Sequence, residues 1–189
     1  VVVELEGLKR QMDLFRVVTL QVLNNVTRDL YLGDPSVSKF IVFDEAHQFL
    51  QAGACSKMGK TIEEGYRRAR KHKGAFYIVS QSLTDLAAFG AVGEVIRDNA
   101  EFRFYLESTA FDRALDQKLI SFNEFEMRIL KSVRSMKRRY SEIFVDTPYG
   151  MGVVRLLVDP YSYLVYSSDP RDVVALESLV ERGMGYDEA

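Results

Sequence analysis

A chain of 189 residues that is 47% hydrophobic and 12% aromatic can bury one proper core, and it is too apolar for intrinsic disorder. Its single cysteine, Cys55, excludes a disulfide scaffold and suits a reducing compartment. No apolar run reaches the roughly 18 residues of a membrane span, and Glu4 and Glu6 interrupt the apolar start, so no secretory signal is read there. The expectation is a soluble, intracellular chain. Net charge is only −2, but the cations are clustered: residues 66–73 hold five Lys/Arg and no acid, and residues 128–139 hold six and no acid. Each cluster is either a contact for an anionic partner or a solvated face balancing the acidic remainder.

In chain order, Val1 to Leu5 reads as a buried strand already under way, and with no initiating methionine the chain is read as a piece of a longer protein. Leu8, Met12, Phe15, Thr19, Val22, Val26 and Leu30 form a helical stripe, closed by the turn cluster Gly33-Asp34-Pro35-Ser36. Lys39 to Phe43 predicts a short strand running into Asp44-Glu45. Gly53 to Gly59 predicts a loop. Thr61 and Glu64 have capping-box spacing, which predicts a helix to about Lys73 with Gly74 as its stop.

Ala75 to Ser80 predicts the next strand, ending in Ser80-Gln81-Ser82. A short helix, a strand at Glu101 to Tyr105 and a helix near Thr109 to Leu119 follow. Phe122 to Val133 predicts another helix. Ser141 to Val145 and Gly152 to Val158 form a hairpin around Asp146-Thr147-Pro148-Tyr149-Gly150. Asp169-Pro170 caps a last helix to about Arg182. Strand–helix alternation over the first two thirds predicts an α/β fold: a parallel sheet with helices on both faces, its wholly apolar strands buried.

Three motifs carry chemistry. Four apolar residues running into Asp44-Glu45 look like a Walker B strand, which delivers two carboxylates to the sheet edge where open α/β sheets bind ligands. In that role Asp44 helps hold Mg²⁺ and Glu45 polarises the attacking water. Gln81, at the end of the next strand, sits beside Glu45 if the two strands are neighbours, and its amide can both donate to a phosphate oxygen and accept from water. Arg67, Arg70 and Lys71 share a face opposite Ile62, Tyr66 and Ala69, at spacings of three and four. They are either an arginine finger for a neighbouring subunit or phosphate contact, or a surface in which Glu63 pairs with Arg67 and Glu64 with Arg68. One cysteine and two histidines, His47 and His72, do not make a zinc site.

A phosphate-binding G-x-x-x-x-G-K-[ST] loop does not occur in these residues, and Gly59-Lys60-Thr61 follows the Asp-Glu strand with no strand before it. No ATP turnover is therefore expected of the 189 residues by themselves.

The strand IVFDEAHQFL, the helix TIEEGYRRARKHKG and the strand AFYIVSQSLTDL, followed by RRYSEIFV and VVRLLVDPYSYLVYSSDP, resemble the C-terminal half of the conjugative type IV secretion ATPases of the TraC type. The resemblance implies a RecA-like P-loop ATPase core truncated after its Walker A loop, with residues 1–120 as α/β core and 121–189 as closing helix, hairpin and last helix. It implies a cytoplasmic hexamer that uses ATP and Mg²⁺ to drive pilus assembly and DNA or protein transfer, attached to the inner membrane through other secretion-system subunits. Asp44 and Glu45 would be its Walker B pair and Gln81 its sensor glutamine. Arg67 and Arg70 would lie in its arginine-bearing motif. DNA stays open as a ligand. A HerA- or FtsK-like translocase, or the coupling ATPase of the same system, shares the Asp-Glu and Gln placement, and a non-catalytic interaction domain of the same fold is the third alternative.

Overall fold

In the computed structural model, residues 2–8, 10–45, 56–167 and 169–185 are described. His47, Cys55 and the start of the loop expected from Gly53 lie outside them. The chain divides into two compact units, Val1–Glu101 with Thr109–Ser121, and Phe102–Ser108 with Phe122–Ala189.

The first unit opens differently from the expectation. Residues 2–5 form no strand, Glu6–Leu8 is a 3₁₀ turn, and Val2 is 96% exposed. A β-branched run favours a strand, but a strand exists only with a partner for its backbone groups, and none is present among the described residues. The stripe from Met12 on folds as α1 (Met12–Leu32), burying Phe15, Thr19, Leu23 and Leu30; Leu8 lies in the 3₁₀ turn ahead of it, and Leu23 is buried while Val22 and Val26 are half-buried. Gly33 ends it, its N–H donating to the Asp29 carbonyl at 3.1 Å.

Strands β1 (Lys39–Phe43) and β2 (Gly74–Ile78) pair in parallel, Phe40 opposite Ala75 and Phe43 opposite Ile78. Val79 N–H extends the ladder to the Phe43 carbonyl at 2.9 Å. Because side chains alternate along a strand, Ile41 and Phe43 share one face with Phe76 and Ile78. There Phe43 and Ile78 pack against Ile62, Phe89 and Ile96, and the Phe43 and Phe76 rings stack at 6.1 Å. The opposite face carries Phe40, Val42 and Tyr77, all exposed. Burial on both faces was the expectation. A wholly apolar strand supplies two apolar faces but cannot supply the second covering layer.

Helix α2 (Ser56–Arg68) runs into a 3₁₀ turn at Ala69–His72. It begins more than a turn before Thr61, so the expected Thr61–Glu64 capping box does not cap it, and residues 56–59 are helical rather than loop. A helix interior gives the Thr61 N–H a main-chain acceptor, which removes the need for a cap. The stop is also relocated. Lys73 takes the left-handed conformation at φ 51°, and Gly74 opens β2, where a Cβ would meet Leu30 Cδ1 at 2.4 Å. Gly74 thus lies against the buried Leu30, which a side chain there would push aside, and does not terminate the helix.

Gly65, buried in mid-helix, is packed in the same way: a Cβ there would lie 2.3 Å from Phe76 Cζ. Gly65→Ala gains about 1 kcal/mol of helix propensity, but overpacking costs about 1–3 kcal/mol. Net destabilisation is expected in thermal unfolding, and restoring space with a second substitution, Phe76→Leu, should recover part of it.

Helices α3 (Leu83–Ala88) and α4 (Ala91–Asn99) are split by Gly90 at φ 56°. Helix α5 (Phe111–Asp116) buries Phe111 and Ala114 and completes this unit.

In the second unit, β3 (Arg103–Tyr105) does not continue the parallel sheet. It pairs antiparallel with β5 (Tyr140–Thr147), which also pairs with β4 (Ser135–Met136) and β6 (Gly150–Leu156). The choice of partner is tertiary. Arg103 lies 3.2 Å from the Asp146 carboxylate, and Tyr105, Phe122 and Phe144 form an aromatic cluster with centroids 5.4–6.1 Å apart. Burial pushes the Tyr105 phenol up to about 12. The β5–β6 hairpin turns at Pro148-Tyr149, where Thr147 Oγ1 donates to the Gly150 carbonyl at 2.8 Å. Helix α6 (Glu124–Ser132) carries a reciprocal capping box between Asn123 and Glu126.

Two short helices close the unit. Helix α8 (Pro170–Glu181) starts at Asp169 as expected. Helix α7 (Pro160–Tyr166) was not expected, although Asp159-Pro160 is the same signal and Asp159 accepts from Ser162 N–H at 3.0 Å. The basic run 128–139 supplies the ties here: Lys137 pairs with Asp169 and Arg138 with Asp172. Asp172 is buried and also accepts from Ser167 Oγ at 2.9 Å and Tyr163 Oη at 3.3 Å.

Hydrogen bonding from Ser167 foremost holds the Asp172 carboxyl below the usual range, and that from Lys137 does the same for Asp169. A carboxylate with a depressed folded-state pKa contributes stability above its unfolded value of about 4, and loses it as pH falls through the lower folded value. Acid titration should therefore loosen α7 and α8 below about pH 4, and Asp172→Asn should loosen them at neutral pH. Hydrogen exchange over residues 160–181 reads both.

Candidate functional site

The two parallel strands end side by side, and each delivers polar groups at its C-terminal end. After β1, Asp44 Oδ1 accepts from the Glu45 N–H at 2.9 Å, and Glu45 takes a left-handed backbone at φ 48°. That conformation is uncommon for a residue with a Cβ and marks an abrupt turn off the strand. After β2, Gln81 Nε2 donates to Glu45 Oε1 at 3.2 Å. The contact joins residues 36 positions apart in sequence, and it follows from the register, since Phe43 opposes Ile78 and the two strands leave the sheet together.

The turn carrying Gln81 is held on both sides. Ser80 Oγ donates to Asp85 Oδ2 at 2.6 Å, and Ser82 Oγ accepts from Thr84 N–H at 3.2 Å as the N-cap of α3. Sequence reasoning passed over Asp85. Its signal was Ser82-x-x-Asp85, the spacing of a helix start.

The donor set fits Mg²⁺. That ion takes as few as one carboxylate and fills its other positions with phosphate oxygens and water, and Asp44 supplies a carboxylate at the strand end beside Glu45. Among the described residues, no group of three or more His, Cys, Asp or Glu is placed to hold a metal by itself.

The cations are placed elsewhere. Arg67 Nε lies 3.2 Å from Glu63 Oε1, the helical pairing that the spacing allowed. Arg70, in the 3₁₀ turn, is 91% exposed with Nη1 3.7 Å from Glu101 Oε1. His72 packs edge-on against Tyr31 at 4.9 Å. The structure thus brings Asp44, Glu45 and Gln81 together, and pairs Arg67 and Arg70 with other acids.

Two adjacent parallel strands, one ending in an Asp-Glu pair and the other running to a glutamine, with helices packed against one face, make an α/β arrangement. The chain belongs to the TraG P-loop domain family, whose model matches residues 1–189. It is 26% identical over 194 residues to protein TraC of Escherichia coli (strain K12), covering 100% of this chain and 22% of TraC. Its fold is similar to VirB4 of Thermoanaerobacter pseudethanolicus, with a TM-score of 0.61 at 18% identity, over 85% of this chain and 42% of that one. The chain therefore spans less than half the length of either relative. No described helix is long and apolar enough to cross a membrane.

Proposed function

We propose that this chain is part of the ATP-hydrolysing motor of a conjugative type IV secretion system, working as a hexamer attached to the inner membrane through other secretion subunits and driving pilus assembly and DNA or protein transfer. Both units are read as parts of one RecA-like domain. Family membership and the similarity to TraC support the system. The single observation that carries the chemistry is the Gln81–Glu45 contact across two parallel strand ends.

ATP with Mg²⁺ would supply the phosphoryl group and the cation that neutralises it, and Asp44 would hold that cation. Glu45 orients the water and accepts its proton at a carboxylate oxygen. Gln81, hydrogen-bonded to that carboxylate, fixes its rotamer and offers an amide to the phosphate side. Arg67 or Arg70 neutralises charge in a neighbouring subunit's site.

The full-length gene product should hydrolyse ATP in a Mg²⁺-dependent manner, and cells carrying only its Glu45→Gln form should lose plasmid transfer. Absence of turnover, or normal transfer with Glu45→Gln, overturns the reading. Tight duplex DNA binding that falls steeply with salt would instead favour a translocase.

A further inference from the structure

We propose that Asp85 is a positioning residue for hydrolysis, acting through Ser80 to hold Gln81 on Glu45; this rests on the ATPase reading above. Gln81 is exposed and sits in the connection between β2 and α3. An exposed glutamine has many rotamers, and ordering it at one carboxylate costs side-chain entropy unless its backbone is already fixed. The fixing groups surround it. Asp85 Oδ2 accepts from Ser80 Oγ at 2.6 Å, a short distance within the range for a hydroxyl on a carboxylate. Ser80 Oγ also lies 3.2 Å from the Ser82 carbonyl, and Asp85 N–H donates to that same carbonyl at 3.2 Å.

Residues 80, 82 and 85 are thus tied to one another on either side of Gln81, and the Gln81 side chain reaches Glu45 at 3.2 Å. Asp85 lies in the first turn of a helix, where a carboxylate is already favourable. That effect needs no Ser80. The Ser80 bond is the part that links the helix to the turn ahead of it. Misplacing a catalytic group by about 1 Å can cost on the order of 10² in rate, so a side chain that only holds the turn can have a kinetic effect.

The test is a double-mutant cycle in the full-length gene product. Asp85→Asn and Ser80→Ala each weaken the same link from opposite ends. Each should lower kcat by roughly 10-fold or more while leaving ATP affinity within about two-fold of wild type. Neither should lower kcat further once Gln81→Ala is present, because the group they position is gone. Equal additional losses on the Gln81→Ala background, or wild-type kcat in both single variants, overturn the proposal. If Asp85→Asn does not fold, Ser80→Ala reads the same link with a smaller change.

A readout without turnover accompanies it. The Gln81–Glu45 contact should be lost in a crystal structure of Ser80→Ala, and its retention there also overturns the proposal. Failure of the ATPase reading has a different signature, since then neither Glu45→Gln nor Gln81→Ala changes any hydrolysis. Additive losses in an enzyme that Glu45→Gln does inactivate count against Asp85 alone.

Discussion

Glu45→Gln in the full-length gene product should slow ATP hydrolysis by about 10²–10⁴ while nucleotide affinity stays within a few-fold of wild type. The substitution keeps the size of the side chain and the oxygen that accepts from Gln81 Nε2, so the geometry of the strand end should survive. What disappears is the capacity to take a proton from water. Asp44, whose side chain is engaged with the Glu45 main-chain N–H, is unchanged, so metal and nucleotide should still bind. The signature is therefore a fall in kcat and kcat/KM with retained binding, the pattern of an interaction made only in the transition state. Single-turnover hydrolysis alongside equilibrium nucleotide binding measures both halves. Wild-type turnover would reduce Glu45 to a strand-end acid.

The larger expected effect belongs to the arginines, because a finger supplied in trans is worth about 10³–10⁵ in rate. The structure orders the two candidates. Arg67 is hydrogen-bonding distance from Glu63 one helical turn away, whereas Arg70 is 91% exposed and its 3.7 Å approach to Glu101 is too long for a good hydrogen bond. Exposed pairs of this kind hold their members weakly, so Arg70 can leave Glu101 for a phosphate at little cost. Arg70→Ala should therefore abolish most hydrolysis, and Arg67→Ala less of it. Mixing Arg70→Ala subunits with Glu45→Gln subunits should restore part of the activity, since some interfaces then join an intact arginine to an intact carboxylate. Loss without rescue would place the arginine within its own subunit's site or in assembly. Alanine at Arg67, Arg70 and Lys71 without any loss would make this a charged surface only.

Local rules carried much of the secondary structure. Lys39–Phe43 is the strand the apolar run described, and Asp169-Pro170 starts a helix because a capping carboxylate and a ring-fixed φ act within a few residues. The Asp44-Glu45 and Gln81 readings came from the same kind of short-range pattern. They named the candidate residues and made the contact between Gln81 and Glu45 conditional on neighbouring strands, and that contact exists because β1 and β2 pair in parallel in one register.

Where local rules compete, the sequence alone did not choose. Thr61-x-x-Glu64 spells a helix start, yet α2 begins at Ser56. Gly74 spells a helix stop, yet Lys73 takes the left-handed turn and Gly74 lies against Leu30. The run at Val1–Leu5 has strand composition and no ladder among the described residues. The pairing of β3 with β5, the burial of only one face of β1 and β2, and the ion pairs of Lys137 and Arg138 each depend on groups tens of residues away. Propensity, capping and turn chemistry act over a few residues, and the sequence determines them where no second local signal competes. Partner choice in a sheet, covering layers and ion pairing are decided by which distant surfaces meet, and only the tertiary structure specifies that.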